Sequence, residues 1–251
     1  MKLRVILDLT GRDVYWQMAI DEALLLLRSR GEIPNTLRLY RFKPSAVTIG
    51  YFQKISEAAN LEFLRETGIQ YTRRITGGGS VYHDTNGEIT YSVVLPAEDV
   101  LSDILESYRI ICSGLVYALR KLGVPAEFVP VNDIVVYGKK ISGSAQTRRA
   151  GFLLQHGTLM YATDLDMLER ALIAPREKLE SKGVRSIRER VITLRDIIGQ
   201  VDMNILVESL VEGFSRALSA EVYYNELSER ELSVAGELVN KYRDPAWIFK
   251  R

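Results

Sequence analysis

Cysteine is almost missing from this sequence: Cys112 is the only one in 251 residues, so no internal disulfide can form. Histidine is nearly as scarce, with His83 and His156 alone, and a Cys/His zinc site is therefore out of reach. Long apolar runs are lacking as well. The run at 23–27 covers about five residues, where a membrane span needs roughly 18. The apolar run at 3–7 is too short for a secretory signal. Charge of one sign is not in excess, since 33 Lys and Arg face 32 Asp and Glu for a net of +1. That balance gives no support for wholesale binding of nucleic acid or a membrane surface. Together these absences suit a soluble protein of a reducing cytoplasm.

What is present is ordinary for a globular chain: 47% hydrophobic and 26% charged residues, and length enough for a sizeable core. Residues 3–9 read as a strand. Asp13 then caps a helix whose Trp16, Ile20, Ala23, Leu24 and Leu27 recur at helical spacing, ended by Gly31 and Pro34. Strands follow at 37–42 and 46–50, a short helix at 61–66, and extended runs at 69–73 and 89–95. A long helix carries Leu101, Ile104, Leu105, Tyr108, Ile111, Cys112, Leu115, Leu119 and Leu122 on one face and is closed by Gly123 and Pro125. A hairpin pairs 134–136 with 140–146 around Tyr137-Gly138, and 152–161 is a further strand. The last third is helical at 164–171 and 204–218, with a charged, irregular stretch up to Arg190 between them. The final helix opens on a capping box of Ser228 and Glu231, with Leu227 and Leu232 placed as a hydrophobic staple. No linker divides the chain. The pattern predicts one α+β domain over residues 1–251, with helices from both ends packed on a largely antiparallel or mixed sheet.

Chemistry concentrates in three segments. In Arg73-Arg74-Ile75-Thr76-Gly77-Gly78-Gly79-Ser80-Val81-Tyr82-His83-Asp84, three glycines lie between strand-like runs, where they weaken pairing. Such a run suits close approach of backbone to a ligand, or several N–H groups turned on an anion. The preceding arginines could meet phosphate or carboxylate with forked donors; a glycine-rich turn beside solvated arginines is the plain alternative. The glycines match neither the NTPase phosphate loop nor the dinucleotide-binding spacing. In the second segment, Asn132-Asp133-Ile134 precedes Gly138-Lys139-Lys140-Ile141-Ser142-Gly143-Ser144-Ala145-Gln146. Strand alternation puts Lys140, Ser142, Ser144 and Gln146 on one face as a polar floor, unless this is a solvent-facing strand with a surface lysine. The third is Gln155-His156-Gly157-Thr158-Leu159, whose histidine is either site-lining or a satisfied structural residue.

These segments, in this order, resemble the lipoate–protein ligase branch of the biotin/lipoate ligase superfamily. Asp21-Glu22-Ala23, Tyr40-Arg41 and the run 49–53 are weaker echoes. The resemblance implies that superfamily's catalytic-domain fold. It also implies an ATP-dependent ligase that joins lipoate to AMP and passes the lipoyl group to a lysine of a carrier domain, with ATP and Mg2+ required. Lys140 is then the catalytic cation on carboxylate and α-phosphate. Arg74, Gly77, Gly78, Gly79, Ser80, Val81, Tyr82, Asn132 and Asp133 line the nucleotide and acyl-adenylate site, Asp133 being the candidate metal ligand. Tyr40, Arg41, Gly50, His83, Gly143 and His156 border the lipoate pocket, with no acid–base role assigned to either histidine. The implied acceptors are the lipoyl domains of 2-oxoacid dehydrogenase acyltransferases and the glycine-cleavage H protein. The chain stops about where such a catalytic domain would, so an accessory domain is expected on a separate subunit. Relatives that work through a cysteine thioester carry that thiol just before the Lys-x-Ser-Gly-Ser-Ala strand. This sequence has none there, and Cys112 reads as an inert core residue, which favours the ligase over an octanoyl or lipoyl transferase working through a thioester; a non-catalytic lipoyl-adenylate-binding module is the other alternative.

Overall fold

The computed structural model describes residues 1–173 and 186–250. Its strands are β1 (Lys2–Arg12), β2 (Thr36–Phe42), β3 (Ala46–Ile49), β4 (Gln70–Arg73), β5 (Val81–His83) and β6 (Glu88–Pro96). They continue with β7 (Glu127–Val129), β8 (Asp133–Val136), β9 (Lys139–Arg149), β10 (Phe152–Met160) and β11 (Glu221–Tyr224). Eight of them form a mixed sheet in the order β11-β1-β2-β6-β10-β9-β8-β7, and β4-β3-β5 form a smaller one. Only the β1–β2 and β1–β11 pairs of the large sheet are parallel. The expected α+β class holds, and the antiparallel part carries everything that matters below.

Alternation along the central strands gives the sheet two different faces. Leu37, Leu39, Tyr91, Val93, Leu95, Leu153 and Leu159 pack under helix α4 (Ile104–Lys121) and the helix Met203–Ala217. Tyr40, Val94 and Leu154 turn the other way, to helix α1 (Val14–Ser29) and the helix Glu229–Arg243. Both expected N-caps at the ends of the chain are formed. Asp13 accepts from the Trp16 amide at 2.9 Å, and Ser228 and Glu231 make the reciprocal capping box. Glu231 does more than cap, because its carboxylate also pairs with buried Arg4 of β1 and ties the last long helix to the sheet.

Two expectations shift. The long helix begins at Ile104, not Leu101, since Asp103 takes the cap position (accepting from Glu106 N at 2.7 Å) and Asp99–Ser102 form a separate 3-10 turn. Ile104 and Leu105 are consequently exposed rather than on the buried stripe. The strand β11 has no alternation and two exposed tyrosines, so nothing local announces it; parallel pairing with β1 makes it a strand. Much of the charged stretch ahead of Arg190 lies outside the described residues. Among the described residues, no helix is long and apolar enough to cross a membrane.

Helix α4 and the helix Met203–Ala217 approach so closely that a Cβ on Gly213 would collide with the Gly114 carbonyl and crowd the Ala118 amide at 3.0 Å. Gly213→Ala should lower stability by roughly 1–3 kcal/mol through this overpacking. Chemical denaturation would measure it, and a variant as stable as the parent would mean the helices separate at no cost.

Candidate functional site

Cross-strand register builds the floor of one cavity of about 350 Å3. The row Tyr40–Thr90–Thr158–Gly143–Asp133 runs across β2, β6, β10, β9 and β8, each residue directly opposite the next. All five line the cavity. His156 and Ala145, paired across β10 and β9, add a second row. The glycine segment Gly78-Gly79-Ser80-Val81-Tyr82 forms one wall. Met18, Met160, Leu168, Leu172 and Ile173 supply apolar surface, and Lys140, Asp133 and Arg190 a charged rim beside the neutral amide of Asn132. Apolar walls with a few convergent polar groups are the usual make-up of a small-ligand site.

Lys140 reaches this cavity by an irregularity. The β8–β9 register shifts at Ile134/Val135, so that Ile134 faces Ser142 while Val135 faces Lys140 and Ile141 is the extra residue. Ile141 joins the core beneath α4, and Lys140 comes round to the cavity. The polar floor of Lys140, Ser142, Ser144 and Gln146 is therefore not formed. The Ser144 hydroxyl meets Tyr91 Oη at 2.8 Å, and the Gln146 amide donates to Ser107 at 3.0 Å, both on the α4 side. Ser142 is fully buried, with its Oγ unpartnered. The small residues that leave room are instead Gly143 and Ala145. A Cβ on Gly143 would run into the Lys140 ammonium and its Cε, so glycine is what lets that side chain lie across the floor.

The Lys140 Nζ stands 2.6 Å from Asp133 Oδ1, and Arg190 Nη2 stands 3.1 Å from the other oxygen. Asp133 is thus held between two cations. Among the described residues no group of three or more His, Cys, Asp or Glu could hold a metal ion. In this arrangement both oxygens of Asp133 are engaged by cations, and no step is assigned to a metal. Arg190 was not legible in the sequence, since it lies in a charged stretch with no periodicity; only the fold brings it opposite Asp133.

Arg74 lines the cavity where it was expected, but not as a free fork. It is buried, and all five of its N–H donors are spent on protein. Nε donates to Thr76 Oγ1 at 3.2 Å. Nη1 serves the Thr48 carbonyl and hydroxyl at 3.1 and 2.9 Å, and Nη2 the carbonyls of Gly77 and Gly79 at 2.8 and 2.9 Å. Burial pulls its guanidinium down to about 10, still a cation at neutral pH. Its neighbour Arg73 is equally committed, to the carbonyls of Gly50, Tyr51, Gln53, Trp247 and Ile248. Neither is a free fork for an anion. In contrast, the amides of Gly77, Gly78, Gly79 and Ser80 have no protein acceptor among the described residues. Unpaired amides on a loop that lines a cavity are donors for a negative oxygen.

Of the remaining expected residues, Tyr40, His83 and His156 line the cavity. Arg41, Gly50 and Gly77 do not. Arg41 reaches the Thr85 carbonyl and Tyr161 Oη, while Gly50 packs on the Gly78 carbonyl so tightly that any Cβ would clash. His156 donates through Nδ1 to Asp21 at 2.9 Å and accepts at Nε2 from Thr76 at 2.7 Å. Burial depresses its basicity against the pull of Asp21. Burial alone would raise Asp21, but His156 and Arg38 outweigh it and hold the carboxyl below its usual range. Cys112 is no part of the cavity lining. It has no exposed surface, and burial pushes its thiol up to about 11.

The lipoyl protein ligase A/B catalytic-domain model matches residues 13–215. An octanoyltransferase LipM of Kyrpidia tusciae is 37% identical over 94% of this chain and 94% of its own length. The bi-partite lipoate protein ligase of Thermoplasma acidophilum, described with its E2 lipoyl domain, superposes with a TM-score of 0.86 at 35% identity, covering 99% of this chain and 96% of that one. The T. acidophilum protein Ta0514, solved with bound lipoic acid, gives 0.85 at 33% identity over 99% and 100% of the two chains. The curated relatives are octanoyltransferases, and this overturns the expectation of an ATP-dependent lipoate–protein ligase. That expectation follows from the resemblance, with the missing cysteine near Asn132 taken to favour the ligase over a thioester transferase. An absent thiol argues against a cysteine-bound acyl group at that point, but it does not call for adenylation, because a thioester arrives already activated.

The folded state resists protonation of His156, whereas the unfolded chain takes up that proton near the ordinary 6.5. Stability should therefore fall as pH drops below 6.5, and fall again as pH drops below the ordinary carboxyl value of 3.8, where the unfolded chain takes up a proton that folded Asp21 still resists. Nitrogen-15 NMR should show His156 as the neutral Nδ1–H tautomer at pH 6.5, and a ring half-protonated at or above that value would refute the assignment.

Proposed function

The chain belongs to the lipoyl protein ligase A/B catalytic-domain family, and on that footing we propose that its site moves a medium-chain acyl group, octanoyl first of all, from a thioester donor to a lysine amine on a lipoyl domain. The observation that carries this reading is similarity to octanoyltransferases along 94% of both chains. The apolar walls around Met18, Met160 and Leu168 suit an alkyl chain, and the charged rim suits the reacting carbonyl. Lipoic acid bound to Ta0514 supports the same ligand class, and the E2 lipoyl domain of the Thermoplasma system supports the same acceptor class.

The chemistry needs no thiol of the protein. The acceptor lysine amine, as free base, attacks the thioester carbonyl, a C–N bond forms, and the carbonyl oxygen becomes an oxyanion. Lys140 and the unpaired amides of the glycine segment are the donors for that charge. The C–S bond then breaks, and the departing thiolate takes up the proton released by the amine. The amide and the donor's free thiol are the products, and no nucleotide is consumed. Asp133 keeps the Lys140 ammonium in place over Gly143 until the carbonyl arrives.

An octanoyl thioester on an acyl carrier protein, mixed with a lipoyl domain in the absence of ATP, should add one octanoyl group to one lysine by mass spectrometry. Product formed solely from free acid and ATP would sink the reading. Lys140→Ala should lower kcat by about 10²–10³, the scale of losing a charged oxyanion donor. Cys112→Ala should retain the parent rate, and a folded but dead Cys112→Ala would assign an acyl-enzyme instead.

A further inference from the structure

Two chains of hydrogen bonds of the same composition converge on Arg74 from opposite sides. On one, Asp21 Oδ2 accepts from His156 Nδ1 at 2.9 Å, and His156 Nε2 meets Thr76 Oγ1 at 2.7 Å. Thr76 in turn accepts from Arg74 Nε. On the other, Glu88 Oε1 meets His83 Nδ1 at 2.8 Å, and His83 Nε2 meets Thr48 Oγ1 at 2.8 Å. Thr48 accepts from Arg74 Nη1. Each runs carboxylate, imidazole, threonine hydroxyl, guanidinium, and every member is buried. Only one proton arrangement satisfies either chain with a neutral ring: Nδ1 donates to the carboxylate, the threonine hydroxyl donates to Nε2, and its lone pair accepts from Arg74.

The four partners come from α1, β3, β6 and the start of the glycine segment, so nothing in the sequence order pairs them. Neither imidazole has a nitrogen left for a substrate, although both rings line the cavity. Arg74 spends its last two donors on the carbonyls of Gly77 and Gly79. Peptide units are planar, so fixing a carbonyl also fixes the amide that follows it. These are the amides of Gly78 and Ser80, which have no protein partner.

We infer that His83 and His156 are positioning residues, each the middle link of a carboxylate–imidazole–hydroxyl chain, and that the two chains lock Arg74 so that it sets the amides of the glycine segment. The inference rests on the acyl-transfer reading for its kinetic arm, and its spectroscopic arm is independent of that reading.

Thr48→Val and Thr76→Val each remove one hydroxyl at nearly constant volume, while Thr48→Ser and Thr76→Ser keep it. Each valine variant should lose about tenfold in kcat with KM for the thioester little changed, because a misdirected oxyanion donor acts on the transition state. Each serine variant should recover the parent kcat. In the apo protein, the Arg74 side-chain N–H signals should be resolved in the parent and serine forms and exchange-broadened in the valine forms, with the Gly78 and Ser80 amide shifts displaced. Valine variants with the parent's Arg74 and loop signals overturn the proposal, as do serine variants as impaired as the valine ones. Should the parent show no acyl transfer at all, the spectra still decide the matter and the failure belongs to the function.

Discussion

One buried carboxylate, Asp21, holds the frame on which the cavity depends. It lies on the inner face of α1 and accepts from Tyr40 of β2 at 2.8 Å, from Arg38 of the same strand at 3.3 Å and from His156 of β10 at 2.9 Å. Burying an ionised carboxyl is costly unless cations and hydrogen bonds meet it, and here they do. Arg38 has no solvent exposure and is shared with Asp8 at 2.6 Å, so the neutralising charge is itself pinned to β1. The helix, the sheet and the cavity histidine are one electrostatic unit, and removing Asp21 would leave a buried guanidinium under-compensated.

The parts of this architecture that depend on neighbours in sequence were legible from residues alone. Asp13 and the Ser228–Glu231 box announce helix starts because a cap acts over three residues. The sheet's inward strands read correctly because alternation is local. What failed is what depends on a partner strand. The face on which Lys140 appears is set by the extra residue Ile141, which exists only relative to β8. Simple alternation therefore assigned the Ser142 and Ser144 hydroxyls to the cavity side, whereas Ser142 is buried and Ser144 lines the cavity with its hydroxyl turned to Tyr91. The strand β11 is likewise made by β1, since its own residues carry no pattern.

Charge was harder to read than topology. A pair of adjacent arginines looks the same in sequence whether it waits for an anion or closes on carbonyls. Arg74 does the second because Thr48 lies 26 residues before it and Gly79 five after. The cavity residues themselves were largely named in advance, among them Lys140, Asp133, Gly143, Tyr40 and the run Gly78 to Tyr82. Their division of labour was not. Arg74 holds the wall, and the lysine lies on the cavity side with the loop whose amides are unpaired. The missing thiol was read correctly as a fact and wrongly as a mechanism.

The bridge from Lys140 through Asp133 to Arg190 sets two cations against one carboxylate at the rim of the cavity, so the rim carries a net positive charge before any ligand arrives. A free fatty acid entering the cavity would share those two cations with Asp133, two carboxylates on two cations, and would draw the ammonium part of the way off its partner. A thioester carbonyl is neutral and does neither, taking a hydrogen bond from an ammonium that stays paired.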